Sequence, residues 1–372
     1  MVKSLLESTL ISEEHGDFVQ HSFIPENIAV VVVGSFDSLM LYKPLKELFA
    51  NMDVHIAYPT FHYFSNDMFK YLNEDIYEGF SEKTVLLTEY DYQDDLSKYK
   101  DFKLFKTGLG ENSLGVFLGD ENKEEEGNSF IDERLDYILS KHLSDKDFYL
   151  GYLNRHDWSY YFKIDKKNSI DSKVTFASIC ILLENSGSRN TNLIVNMGEE
   201  EVKELKKVLT KLDVKDPSIA YLKLSKKVSA KDIDAFYKSD SKIKILNPFP
   251  LARKDMKRLI VNSNTFVGIT GDQSFIEALS LEKIVFYQVM EWKRDFFKNF
   301  TRLFGKLNRS ETQNFYSSML NNPNGIKQIR FTYKAIKAKK KKIHSDTVEV
   351  KNFISEKLNL RQNLLPVVNL KK

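Results

Sequence analysis

Thr270-Gly271-Asp272-Gln273-Ser274 follows a short apolar run and leads into a helical pattern with Glu277 one turn in. Glycine and small polar residues at a strand-to-helix turn present free backbone N–H groups and the positive end of a helix, which suit a diphosphate. Glu277 can accept hydrogen bonds from ribose hydroxyls. The same letters also spell a capping box, Ser274-x-x-Glu277, in which they only close the helix end. Upstream, Asn247-Pro248-Phe249-Pro250 leaves another strand.

These residues need a sheet to hold them, and the pattern supplies two. Ile28-Ala-Val-Val-Val-Val-Gly34 is a continuous β-branched run, the mark of a parallel strand buried on both faces. A helical pattern over 37–51 and strands at 54–58, 84–88 and 102–105 make it a doubly wound α/β unit. The alternation restarts with strands at 147–153, 192–196, 219–223, 243–246, 266–269 and 284–287. The intervening helices are expected over 173–183, 199–212, 230–238, 253–263 and 274–281. The expected division is 1–146, 147–326 and a basic helical segment 327–372.

This order of elements resembles the nucleotide-sugar half of the GT-B glycosyltransferases and the related UDP-sugar 2-epimerases. Their last strand-loop-helix reads roughly Gly-x-x-(Ser/Thr)-x-x-Glu-Ala-x-x-x-Gly-(Lys/Val)-Pro. Here Gly271, Ser274, Glu277, Ala278 and Lys283 fit, while Glu282 stands for the usual glycine and Ile284 for the usual proline. Gly271-Asp272-Gln273-Ser274-Phe275 is also similar to the Gly-acid-acid-Ser-Phe loop of bacterial arginine rhamnosyltransferases.

The resemblance implies two Rossmann-like domains facing each other across a cleft. The diphosphate of a nucleotide sugar would rest on 270–274, and Asn247, Pro248 and Phe249 would frame the base. Arg155, after the first strand of the second domain, would clamp phosphate or else form a surface salt bridge. The acceptor's base would come from the first domain. Asp37 after its first strand is one candidate, with a helix N-cap as its other role. His62 between Phe61 and Tyr63 is a second, and Glu111 in the glycine-dense loop 108–115 is a third. The acceptor itself, whether glycan, lipid-linked precursor or protein, is not specified.

Other chemistry finds little support. No Gly-x-Gly-x-x-Gly follows either first strand, and neither a Gly-x-Ser-x-Gly elbow nor a phosphate loop ending in Gly-Lys is present. Asp145-Lys-Asp147 precedes its strand, and Asp232-Ile-Asp234 lies in a helical pattern where the two side chains diverge, so metal-bound diphosphate as in GT-A enzymes is not expected. The seven histidines form no ligand pair, and the single cysteine, Cys180, makes no internal disulfide. No cofactor is expected. Two other readings remain open: a 2-epimerase-like enzyme, and a catalytically silent protein of the same fold that acts by binding.

Composition sets the frame. The 372 residues are 42% hydrophobic and 29% charged, enough apolar matter for two cores. No apolar run is long enough to span a bilayer, and the leucines near Met1 are interrupted by Lys3 and Glu7, so a cytoplasmic protein is expected. The net charge of +3 hides an asymmetry: residues 327–372 hold 13 basic and 3 acidic groups, the remainder 42 and 49. The basic end, with Lys339-Lys340-Lys341-Lys342, is either a solvated helix face or a contact for an anionic surface. Val348, Val350, Phe353, Ile354 and Leu358 suggest that it also packs.

Overall fold

The computed structural model describes residues 7–11, 18–22, 28–33, 54–57, 85–88, 103–116, 118, 130–143, 146–153, 170–185, 190–215, 217–290, 293–321 and 325–369. The chain divides into two compact units, Met1–Leu118 with Asn352–Lys372, and Gly119–Lys351.

In the first unit, β1 (Glu7–Ile11) and β2 (Phe18–Ser22) pair antiparallel. A separate parallel sheet contains β3 (Ile28–Val33), β4 (Val54–Ala57), β5 (Val85–Thr88) and β6 (Lys103–Lys106) in the order β4-β3-β5-β6. The all-apolar run of β3 takes an interior position, with a strand on either side, as expected of a strand buried on both faces.

The glycine-dense loop after β6 closes on itself. Gly108 N–H donates to Gly115 O at 2.8 Å, and Ser113 Oγ donates to the carbonyls of Gly108 and Gly110 at 2.7 and 2.9 Å. It then receives the end of the chain. Val116 N–H donates to Leu358 O at 2.8 Å, and Leu360 N–H returns to Val116 O at 3.0 Å. Gly115 has φ +100, and a Cβ there would fall 1.8 Å from Leu358 O, so only glycine suits both the turn and the approach.

The second unit is built on a sheet that holds six parallel strands among the described residues. They are β7 (Phe148–Tyr152), β8 (Thr191–Val195), β9 (Ile219–Lys223), β10 (Ile243–Asn247), β11 (Phe266–Ile269) and β12 (Ile284–Tyr287). Their spatial order is β12-β11-β7-β8-β10-β9. Helices connect them: α1 (Glu133–Lys141) before β7, then α2 (Ser172–Asn185), α3 (Glu199–Lys211), α4 (Ala230–Lys238), α5 (Arg253–Asn262) and α6 (Asp272–Ser280). The architecture is doubly wound and Rossmann-like. It departs from the usual dinucleotide-fold order in one respect, because β10 inserts between β8 and β9 instead of crossing to the far side of β7.

Residues 172–181 of α2 are all buried, so this helix is covered around its whole circumference, with Ser172, Lys173, Thr175 and Ser178 among the buried side chains. Phe176 sets its distance from the sheet. Gly151 of β7 and Gly268 of β11 are paired in register, and a Cβ on either would lie 2.9 Å from the Phe176 ring. Helix α1, on the amino side of the boundary expected near 147, makes its side-chain bonds in this unit: Tyr137 Oη donates to Asp234 at 2.7 Å.

After β12 come α7 (Arg294–Lys306), α8 (Ser310–Asn321), α9 (Ile326–Lys357) and α10 (Leu360–Asn369). The aromatic run seen in the sequence becomes a buried cluster. Phe300 packs edge-on against Phe275 of α6 at 4.8 Å and against Tyr316 of α8 at 5.1 Å. Each such ring removed from water contributes roughly 2–3 kcal/mol, so the cluster anchors the start of α6 firmly. Along α9, Ile329, Ile336, Ile343 and Val350 are buried at seven-residue spacing. The basic run on this helix is largely engaged within the chain. Lys339 pairs with Glu311 at 2.7 Å, Lys340 donates to Asn264 at 3.1 Å, and Lys342 lies 3.9 Å from Asp346. Among the described residues, no helix is long and apolar enough to cross a membrane.

Candidate functional site

Ligands of open parallel sheets sit beyond the carboxyl ends of strands where successive connections run opposite ways. That occurs here between β7, whose connection leads to β8, and β11, whose connection leads to β12 on the other side. It occurs again between β8 and β10.

At the first position, the 270–274 segment is the start of α6. The helix begins at Asp272, two residues before the expected Ser274. Gly271 is the N-cap, in extended conformation and with no side-chain cap. Ser274 is therefore the third residue of the helix, and the capping-box alternative does not hold. Gly271 closes the helix through its carbonyl, which accepts from Phe275 N–H at 2.8 Å. The N–H groups of Asp272, Gln273 and Ser274 belong to the uncapped first turn, where a helix attracts anions.

Asp272 itself is buried. Tyr287 Oη donates to its carboxylate, and Lys293 Nζ lies 3.7 Å away. Lys293 also donates to Thr270 O at 3.2 Å. Asp272 thus fixes the loop to β12 and to the residue before α7, with its charge balanced by an ammonium. The Thr270 hydroxyl is buried and has no hydrogen-bond partner among the described residues. Glu277 is 6% exposed.

The loop after β10 is braced from inside. Asn247 donates through Nδ2 to Met197 O, while its Oδ1 accepts from Phe249 N–H and Lys223 Nζ, each at 3.1 Å. Phe249 is buried and stacks on Tyr152 at 5.3 Å, and Pro248 is buried as well. The amide of Asn247 is fully used within the protein, and Tyr152, 37% exposed, is the ring at the carboxyl end of β7.

The second position has acidic character. Glu199, Glu200 and Glu201 occupy the first turn of α3, and Glu201 accepts from Gly198 N–H at 2.9 Å and from Lys173 Nζ at 3.3 Å. This helix start carries three carboxylates, of which Glu201 is paired with Lys173, whereas the first turn of α6 carries one, Asp272.

Of the other expected residues, Asp37, His62 and Arg155 lie outside the described residues. Glu111 is exposed at the turn of the closed loop 108–115. Asp232 and Asp234 take separate partners: Asp232 accepts from Ser229, whereas Asp234 accepts from Tyr137 and Lys141 and meets His142 Nε2 at 2.8 Å. Lys141, then Tyr137 and His142, hold the Asp234 carboxyl well below the usual carboxylate range. Among the described residues, no cluster of three metal-ligating side chains occurs.

A concavity of about 650 Å³ lies at the opposite, amino end of the strands, lined by Phe130, Asp136, Lys141, His142, Asp147 and Arg258 among others. Its cations are engaged: Lys141 and His142 with Asp234, Arg258 over the Phe130 ring at 4.5 Å. It is also at the wrong end of the sheet for ligand binding in this architecture.

Lys293, Tyr287 and two hydroxyls of α2, Ser172 and Thr175, are the residues sequence reasoning passed over. The last two had a signal, a Ser-x-x-Thr spacing at the start of a largely apolar helix. Comparison with protein-family models finds no match, and none of the curated proteins is significantly similar to the chain.

Proposed function

We propose that the chain is a metal-independent glycosyltransferase that takes its sugar from a nucleotide-diphosphate donor. The observation that carries this reading is the uncapped start of α6, presented at the carboxyl end of a doubly wound parallel sheet where the connections diverge. Backbone N–H groups of Asp272, Gln273 and Ser274, with the helix dipole, would stabilise the negative charge that develops on the departing diphosphate. The Lys293 ammonium balances Asp272, so that carboxylate is a smaller obstacle to a bound anion than its position suggests.

The departure from the GT-B pattern at Glu282 also fits. Glu282 has φ +58, the left-handed conformation for which glycine is the usual residue.

In this reading Arg155 adds to phosphate binding, and the acceptor's proton passes to Asp37, His62 or Glu111. The acceptor is a glycan, a lipid-linked precursor or a protein. Thermal denaturation with a panel of nucleotide sugars and chelator present tests the donor. A true donor at a hundred times its Kd stabilises by about 2.7 kcal/mol. Ser274→Ala and Glu277→Ala should reduce that shift, and release of free nucleoside diphosphate on adding acceptor would report transfer. Absence of any shift, or a shift that needs a divalent ion, removes the reading.

A further inference from the structure

Helix α9 carries a row of cations that the acids of the chain do not neutralise. From Ile326 to Ser345 the sequence holds eight lysines and arginines and no acid, the next being Asp346. These cations fall into two groups. Lys339, Lys340 and Lys342 of the contiguous run are drawn toward Glu311, Asn264 and Asp346. Lys327, Arg330, Lys334 and Lys337 come before the break in the helix at Lys339, where φ is −134 and ψ 20.

Those four recur at three- and four-residue spacing, so they share one face and form a row of about 15 Å. All four are exposed. Among the described residues, Lys327, Arg330 and Lys334 make no salt bridge. Lys337 donates to Tyr333 Oη at 2.9 Å and stands 5.3 Å from the centre of that ring, so its partner is neutral and its charge is not cancelled. The other side of this half of the helix is covered: Gln328, Ile329, Thr332 and Ile336 are buried. The row therefore points away from the core.

Phe331 borders the row, four residues after Lys327 and three before Lys334, and is 45% exposed. An acidic bilayer matches both features. Its headgroup phosphates attract a cluster of basic side chains on a helix, and the apolar zone just beneath them accepts an aromatic ring. Sequence readout of nucleic acid relies on amides and hydroxyls that reach base edges. Gln328 and Thr332, the amide and aliphatic hydroxyl of this stretch, are buried and bonded to each other at 2.9 Å.

We propose that this face of α9 docks on an acidic phospholipid bilayer, with Lys327, Arg330, Lys334 and Lys337 on the headgroups and Phe331 entering among them. None of the donor-site residues takes part, so the docking surface and the nucleotide-sugar reading stand or fall separately.

The test is flotation of the full chain with vesicles of phosphatidylcholine alone and of phosphatidylcholine mixed with phosphatidylglycerol. Wild type should float only with the acidic vesicles and should be released at about 0.5 M salt, where exposed charges are screened. Each basic residue near an acidic surface contributes about fivefold in affinity, so Lys327→Gln, Arg330→Gln and Lys334→Gln combined should weaken binding about 100-fold. Phe331→Ser should weaken it about tenfold. The combined charge variant loses no salt bridge within the chain, and an unchanged thermal denaturation midpoint checks that it folds. Failure of wild type to bind acidic vesicles, or binding that the charge variant retains in full, overturns the proposal and leaves a solvated helix face. If Phe331→Ser binds as well as wild type and a DNA duplex displaces the vesicles, the partner is a general polyanion and the lipid surface falls.

Discussion

At the amino ends of the second unit's strands, buried polar groups are paired within the protein. Lys244 donates to the carbonyls of Ser239 and Ser241 at 3.1 and 2.8 Å, and Lys283 to those of Val261 and Ser263 at 3.1 and 2.8 Å. Tyr149 donates to Glu184 at 2.7 Å, and Lys340 to Asn264. Among the described residues, Thr191 at the start of β8 keeps an unpaired hydroxyl, and Arg258 Nη1 makes no hydrogen bond while lying 3.7 Å from Asp136 Oδ1. At the carboxyl ends, the hydroxyls of Ser172, Thr175 and Thr270 lack hydrogen-bond partners among the described residues, beside a firmly held loop at Asp272. One end spends its polar groups on closing helix ends. The other leaves several hydroxyls unpaired among the described residues.

The largest effect should come from the group that makes the carboxyl end rigid. Lys293→Met leaves the Asp272 carboxylate buried without its ammonium, which typically costs about 3–5 kcal/mol. Chemical denaturation measures it, and adding Asp272→Asn should recover much of the loss. If the double variant is no more stable than the single one, charge balance is not what Lys293 supplies. At the amino end, Lys283→Met should cost about 1–3 kcal/mol, because two buried carbonyls lose their donor. Thr270→Val, in the absence of ligand, should change stability by less than about 1 kcal/mol and in the stabilising direction, since no bond is lost. A loss at Thr270 equal to that at Lys283 would erase the difference between the two ends.

Much of the scaffold is legible in the sequence because burial on both faces writes itself as continuous apolar runs. The six strands and five connecting helices of the second unit fall where the alternation puts them. Sequential alternation carries no information on spatial order, so the insertion of β10 between β8 and β9 had no local signal. The start of α6 was legible in position but less so in detail. Ser274-x-x-Glu277 looks like a helix start, yet the cap is Gly271, a residue whose backbone alone does the work. The carboxylate after it is held by Tyr287 and Lys293, which are distant in sequence. Asn247 looks available for a base until its amide is found shared among Met197, Phe249 and Lys223. The packing of the basic end was visible in Val350 and Ile354, both buried, whereas the partners of its lysines were not.

The smallest expected effect concerns Glu282, just before the amino end of β12. Glu282 adopts φ +58 just after α6, where glycine would be unstrained, and its carboxylate accepts from Lys351 Nζ at 2.8 Å. Left-handed backbone costs a residue with a Cβ about 1 kcal/mol relative to glycine. Glycine gives back part of that through greater freedom in the unfolded chain. A partly exposed ion pair contributes about 0.2–1 kcal/mol. Glu282→Gly should therefore change stability by less than about 0.5 kcal/mol, as the two contributions nearly cancel. Lys351→Ala alone should cost the ion pair without relieving the backbone, and in the Glu282→Gly background it should cost almost nothing. A double-mutant cycle in denaturant reads both. If Lys351→Ala is equally costly in both backgrounds, the ion pair is not what offsets the strain, and the glutamate needs another explanation.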